Sequence, residues 1–307
     1  MRVVFLGTPA FAVPTLERLA AAGHTVLAVV TQPDRPRGRG QNPAPPPVKE
    51  AAVRLGIPVY QPERVRRPEA VEYLHALAPD AMVVVGYGQI IPQSIIDIPP
   101  LGILNVHASL LPKYRGAGPI QWAILHGETR TGVTIMRIDA GLDTGDMLLK
   151  AETEIGPEEN AMELGRRLAG MGAGLLVEAL DGLQAGKITP EKQDNAQASY
   201  APLLKKEDGL IDWHRPALEI HNRIRGLQPW PGAYTRLRGQ TLHIWKARLG
   251  EGSGPAGTIV SVKPPAVACG EARLELLELQ LEGRKRLGAA EFANGQRLKE
   301  NEILGGE

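Results

Sequence analysis

Residues 1–30 read MRVVFLGTPAFAVPTLERLAAAGHTVLAVV, and the order of elements in this stretch decides the fold. Residues 3–6 and 26–30 are short apolar runs bounded by turn formers, the pattern of buried strands. Between them, residues 11–22 carry apolar side chains at helical spacing. A strand, a helix and a strand in that order form the crossover that a parallel strand pair needs. The pattern continues outward. Residues 48–55 and 68–78 read as helices and Ala81–Val85 as a further strand, with more strands expected at 102–107, 133–138 and 147–154. A long helix is expected over about 158–183. Such alternation implies a Rossmann-like α/β domain, a parallel sheet covered on both faces, with functional residues at the carboxyl ends of its strands.

Gly186 and the polar stretch 189–199 suit a linker. Beyond residue 208 the pattern changes to short runs at 241–245, 257–262 and 274–281, separated by Gly and Pro clusters. This reads as a small β-barrel or sandwich, with an OB-like barrel expected. The chain of 307 residues is long enough for two cores. The expected organisation is therefore a catalytic domain over 1–188, a linker over 189–208 and a C-terminal β-barrel domain over 209–307.

Composition narrows the class. Hydrophobic residues are 43% and charged residues 22%, near the soluble average. Apolar stretches stop well short of the roughly 20 residues a membrane span requires. The opening apolar run ends at Gly7 and lacks a small-residue cleavage site, so it reads as a strand rather than a signal peptide. A cytoplasmic protein with no membrane partner is expected, acting as a monomer. Cys269 is the only cysteine, which excludes intrachain disulfides and cysteine-rich metal sites. A net charge of +1 does not announce a nucleic-acid binder, and residues 209–307 carry only a mild excess, 14 Lys/Arg against 11 Asp/Glu.

Three segments could carry chemistry. Asn105 and His107 lie two apart on an expected strand, so their side chains share a face and can touch one substrate. Locally, they could equally be satisfied polar groups at a sheet edge. The segment 110–119, LLPKYRGAGP, combines apolar residues, two cations and turn formers. It suits a binding loop as well as it suits a plain strand-to-helix connection. Residues 139–146, DAGLDTGD, gather three carboxylates and two glycines, but the register lacks the spacing and closing Glu of a calcium loop, so no metal is expected.

Together these segments carry a resemblance. Asn105-Val106-His107, then Ser109-Leu110-Leu111-Pro112-Lys113-Tyr114-Arg115-Gly116, then Leu142-Asp143-Thr144-Gly145-Asp146 resemble the signature of the 10-formyltetrahydrofolate-dependent formyltransferases. The resemblance implies catalytic roles for Asn105, His107 and Asp143 and 10-formyltetrahydrofolate as co-substrate. It also implies folate contacts from Ser109, Leu110, Leu111 and Pro112, with Gly88, Gln89 and Ile90 lining the pterin pocket. Asp143 is expected to orient and charge-stabilise His107.

Three further stretches are similar to the members whose acceptor is methionyl initiator tRNA: the opening 4–14, the insertion 31–49 and the C-terminal extension with 222–226 and 229–233. This implies a role in translation initiation and tRNA contacts from Arg35, Arg37, Arg39 and Lys49. Physically, arginines alternating with Pro and Gly make a basic loop that can bind phosphates and stack on exposed bases. An amino-sugar formyltransferase using the same donor is the alternative. A dinucleotide-dependent oxidoreductase fits less well, because Thr8-Pro9-Ala10-Phe11 follows Gly7 where a G-x-G-x-x-G turn is needed. A non-catalytic RNA-binding module would have no use for Asn105, His107 and Asp143 together.

Overall fold

The computed structural model of the protein describes residues 1–37 and 42–305. They divide into two compact units: 1–116 with 131–154 and 165–201, and 117–130 with 155–164 and 202–307.

The first unit is built on a seven-stranded sheet. Its strands run in the spatial order Met147–Glu154, Arg130–Arg137, Ile103–His107, Ala81–Val85, Arg2–Gly7, Thr25–Val30 and Val59–Tyr60. The last five of these pair in parallel. The sheet departs from the all-parallel expectation at Arg130–Arg137, which runs antiparallel to Ile103–His107. Ile103–His107 is bonded on both sides, to Ala81–Val85 and to Arg130–Arg137. Asn105 and His107 are therefore not at a sheet edge. Both faces are covered. Leu74 and Ile95 pack with Val4, Leu6, Met82 and Ile103 on one face. On the other, Gly172 of the long helix Ala161–Gln184 approaches Val106 and Val133 so closely that a Cβ there would clash with Val106. By the two-residue period, Asn105 and His107 share the face of Ile103.

The second unit is an antiparallel sheet in the order Ala233–Leu237, Gln240–Gly250, Arg273–Leu281, Pro265–Ala268 and Ile259–Val262, with Leu287–Gly288 also on Arg273–Leu281. The end of the chain bridges the two outer strands. Gly305 donates to the Arg236 carbonyl at 2.9 Å, while Leu304 donates to Gly257 and Ile259 to Glu302, each at 2.8 Å. These bonds close the sheet into a small barrel. Trp213, Ile244, Leu274, Leu279 and Phe292 fill its core. The helices Ala217–Gly226 and Ala289–Gln296 complete the unit and were not expected from sequence. Among the described residues no helix is long and apolar enough to cross a membrane.

Candidate active site

Asn105 and His107 occupy the carboxyl-terminal half of the strand Ile103–His107. His107 is buried at 5% exposure, whereas Asn105 is half-buried. The side-chain amide of Asn105 has no hydrogen-bond partner among the described residues, so it retains its donors for a ligand. The His107 ring is fixed from one side, where Nε2 lies 2.9 Å from the Tyr114 carbonyl. A carbonyl can only accept, so Nε2 carries the hydrogen. Nδ1 then faces Asp143, whose Oδ2 is 3.7 Å away. That separation is an electrostatic contact rather than a hydrogen bond. Orientation of the ring thus comes from Tyr114, a residue sequence reasoning had not singled out, and Asp143 supplies charge beside Nδ1.

Both partners of His107 sit on left-handed backbone, Tyr114 at φ 62° and Asp143 at φ 52°. Non-glycine residues adopt this region at a cost that surrounding bonds must offset. Those bonds are present. The Asp143 carboxylate accepts from Gly116 N at 2.8 Å. Its loop is shaped from within by Asp139, whose carboxylate accepts from Gly141 N at 3.0 Å and from the Thr144 hydroxyl at 2.8 Å. Gly145 is required because a Cβ there would run into the Arg137 carbonyl. On the other loop, Tyr114 N donates to the Ser199 hydroxyl at 2.9 Å.

Ser109 is fully buried, and its hydroxyl donates to the Lys113 carbonyl at 2.6 Å. The Thr134 hydroxyl donates to the Ser109 carbonyl at 2.7 Å and accepts from Leu111 N at 3.1 Å. Thr134 stands directly across the ladder from His107. Leu111 packs with Met136 and Met147, leaving Leu110 and Pro112 as the half-buried members of the segment. Gly86 and Gly88 lie at the end of the strand Ala81–Val85, both with positive φ, and a Cβ at Gly86 would strike the Pro9 ring. The half-buried Gln89 side chain is tied to the protein, accepting from Val65 N at 2.7 Å and donating to the Glu63 carbonyl at 3.3 Å. Ile90 stands 91% exposed.

Arg35 and Arg37 lie in a two-stranded hairpin, Arg35–Arg37 against Asn42–Ala44, where a plain loop was expected. Pro36 faces Pro43, a pairing that needs no N–H if it occupies a non-hydrogen-bonded position of the ladder. Arg35 is exposed. Arg39 lies outside the described residues. The Lys49 ammonium is 2.8 Å from each carboxylate oxygen of Asp34. Hydrogen bonds from Gln61 and then Lys49 hold the Asp34 carboxyl below its ordinary range. Among the described residues no group of three or more His, Cys, Asp or Glu could hold a metal ion.

The arrangement therefore offers a hydrogen-bond donor, an imidazole and a carboxylate around one strand end. Residues 1–180 match the family described as "Formyl transferase", and residues 203–297 match "Formyl transferase, C-terminal domain". The chain belongs to the formyl transferase family. This formyl transferase is 71% identical over 99% of its length to a protein of Solibacter usitatus named "Methionyl-tRNA formyltransferase", of which it covers 99%. It is 54% identical over 99% of its length to a protein of the same name from Trichlorobacter lovleyi, covering 96% of that protein. Solved structures with the same fold are more distant in sequence. The sugar 3N-formyl transferase WlaRD aligns with TM-score 0.68 at 19% identity, over 93% of this chain and 99% of the other. HypX from Aquifex aeolicus, in complex with tetrahydrofolic acid, aligns with TM-score 0.67 at 17% identity, over 95% of this chain and 47% of the other.

Proposed function

We infer that this formyl transferase moves the formyl group of 10-formyltetrahydrofolate to the α-amine of methionyl initiator tRNA, yielding N-formylmethionyl-tRNA and tetrahydrofolate for translation initiation. The observation that carries the reading is the convergence of Asn105, His107 and Asp143 in a chain 71% identical to a protein named for that reaction. We assign catalysis to residues 1–188 and tRNA binding to 209–307, with the Arg35–Lys49 insertion as a second RNA contact. The enzyme acts as a cytoplasmic monomer.

The site residues fit a folate donor. Leu110 and Pro112 offer apolar surface beside His107, and the glycines at 86 and 88 let the backbone come close to a flat ring. The donor supplies an activated formyl carbonyl on its N10 nitrogen. Asn105 donates from its amide to the carbonyl oxygen as that oxygen gains charge under attack by the methionyl amine. His107 Nδ1 is the ring position able to exchange a proton, since Nε2 is committed to Tyr114. Nδ1 relays the proton lost by the attacking amine to N10 as the bond from N10 to the formyl carbon breaks. Asp143 stabilises the ring while it carries that proton.

The test is to incubate the protein with 10-formyltetrahydrofolate and methionyl initiator tRNA and assay for N-formylmethionine. Formation of product only with a free nucleotide-linked amino sugar would replace the acceptor.

A further inference from the structure

The polar segment with the composition of a linker is packed against both loops that flank His107. Gln193 is its centre. The Gln193 amide oxygen accepts from Arg115 Nε at 3.0 Å and from Arg115 Nη2 at 2.8 Å. Its NH2 donates to the carbonyls of Asp143 and Gly145, each at 2.8 Å. An amide has two acceptor sites and two donor hydrogens, so every one is used. Arg115 is 2% exposed and also donates to Asn195 Oδ1 at 2.9 Å. It is therefore an internal post rather than a ligand-facing cation. Around it, Arg115 N donates to the Ser199 carbonyl at 2.8 Å, and Tyr200 and Ala201 pair with Arg115 and Gly116.

We propose that Gln193 is a positioning residue for formyl transfer, locking the Asp143 loop to the Tyr114–Arg115 turn and so setting the gap between Asp143 and His107. The inference rests on the site reading given above. Asp143 contacts His107 without a hydrogen bond between them, so their own interaction does not hold the distance. It is held from outside. One tie is Gly116 N on the Asp143 carboxylate. The other is Gln193, which grips the backbone of Asp143 itself while anchored on the residue next to Tyr114. Errors of about 1 Å in such a gap cost on the order of 100-fold in rate.

The chemistry of the amide gives a discriminating substitution. Gln193→Glu keeps both acceptors for Arg115 and adds an ion pair to it, but cannot donate and sets a negative charge against two carbonyl oxygens. If Gln193 only anchored Arg115, the variant would be as active as wild type. The expected result is a fall in kcat of roughly 10- to 100-fold, with KM for methionyl initiator tRNA within about 3-fold. Gln193→Ala, which loses both sides, should lose kcat to a similar degree with a lower Tm. A second readout does not depend on turnover: the 15N signals of the His107 ring should shift in Gln193→Glu. Unchanged kcat or an unchanged His107 signal in Gln193→Glu would overturn the proposal. Wild-type protein that forms no N-formylmethionine would refute the acceptor reading, and the His107 signal would still decide the role of Gln193.

Discussion

His107 Nε2 is hydrogen-bonded to the carbonyl of Tyr114 at 2.9 Å, and this bond leaves Nδ1 as the ring position that faces Asp143 at 3.7 Å. The arrangement differs from a triad in which the carboxylate binds one imidazole nitrogen and the other faces the substrate. In the proposed mechanism proton handling and charge stabilisation share one side of the ring. Asp143→Asn keeps a side-chain oxygen for Gly116 N and removes only the charge. Turnover should fall on the order of 100-fold or more with little change in Tm, measured by steady-state kinetics and thermal melts. A decline of less than about 3-fold would place the carboxylate outside the chemistry.

In the proposed mechanism Asn105 carries the complementary task of binding the oxygen that becomes negative. Removing one such donor costs about 3–4 kcal/mol of barrier, so Asn105→Ala should lose on the order of 100-fold or more in kcat. The fold should survive, because the side chain is half-buried and makes no internal hydrogen bond among the described residues. Near-normal turnover would refute the assignment.

How much of this was legible in the sequence follows from what kind of force fixes each part. Val3–Leu6 and Ala81–Val85 are strands because continuous apolar runs can only be buried between helices, and hydrophobic period reports that directly. Asn105 and His107 were placed on one face by the same period. The antiparallel strand Arg130–Arg137 was found but not its direction, since direction depends on the connection and not on the side-chain pattern. Gln193, Ser199 and Thr134 were missed for a different reason. Their work is done by side-chain hydrogen bonds across long sequence separations, and a polar stretch such as 189–199 has no periodicity with which to announce that it is packed. The short pairing of Tyr200–Ala201 with Arg115–Gly116 is equally invisible, because two residues make no pattern. Arg115, one of the two cations in a segment that suited a binding loop and a plain connection equally, is buried; only its partners, 78 and 80 residues away, explain it.

Thr134 offers a stability test of the loop that carries Ser109. Thr134→Val preserves the shape while removing the hydroxyl, leaving the Ser109 carbonyl and the Leu111 amide unpaired in the interior. Each buried group left unsatisfied costs about 1–3 kcal/mol. Urea unfolding of the first unit should show a loss within that range, and Thr134→Ser should restore most of it. If Thr134→Val is neutral, the hydroxyl is not what holds this turn.

Substitution of Arg35 tests the proposed RNA contact separately from catalysis. It is exposed and lies in the hairpin far in sequence from His107, so Arg35→Ala should raise KM for methionyl initiator tRNA while sparing formyl transfer to water or a small amine. Loss of one phosphate contact should also lower the slope of log K against log salt by about 1. Arg39→Ala applies the same assay to a residue outside the described ones. Lys49 should matter less, because Asp34 already neutralises it. Equal losses with tRNA and the small amine would end the RNA assignment for this insertion.

Acid should destabilise the second unit through its histidines. Burial depresses the pKa of His221, opposed in part by Glu158, and burial likewise depresses His243, each from an ordinary 6.5. A histidine whose folded pKa is lower than its unfolded pKa binds more protons when unfolded, so stability falls as pH drops from 6.5 towards the folded values and is unaffected above that range. All four tryptophans, at 122, 213, 230 and 245, lie in this unit, so intrinsic fluorescence follows its unfolding. The urea midpoint read in this way should decrease between pH 7 and pH 5.5. His221→Gln cannot take up a proton, and its midpoint should decrease less over the same interval, whatever its value at pH 7. A decrease as steep as that of the wild type would mean that His221 is not protonated on unfolding in this range, and that the acid sensitivity has another source.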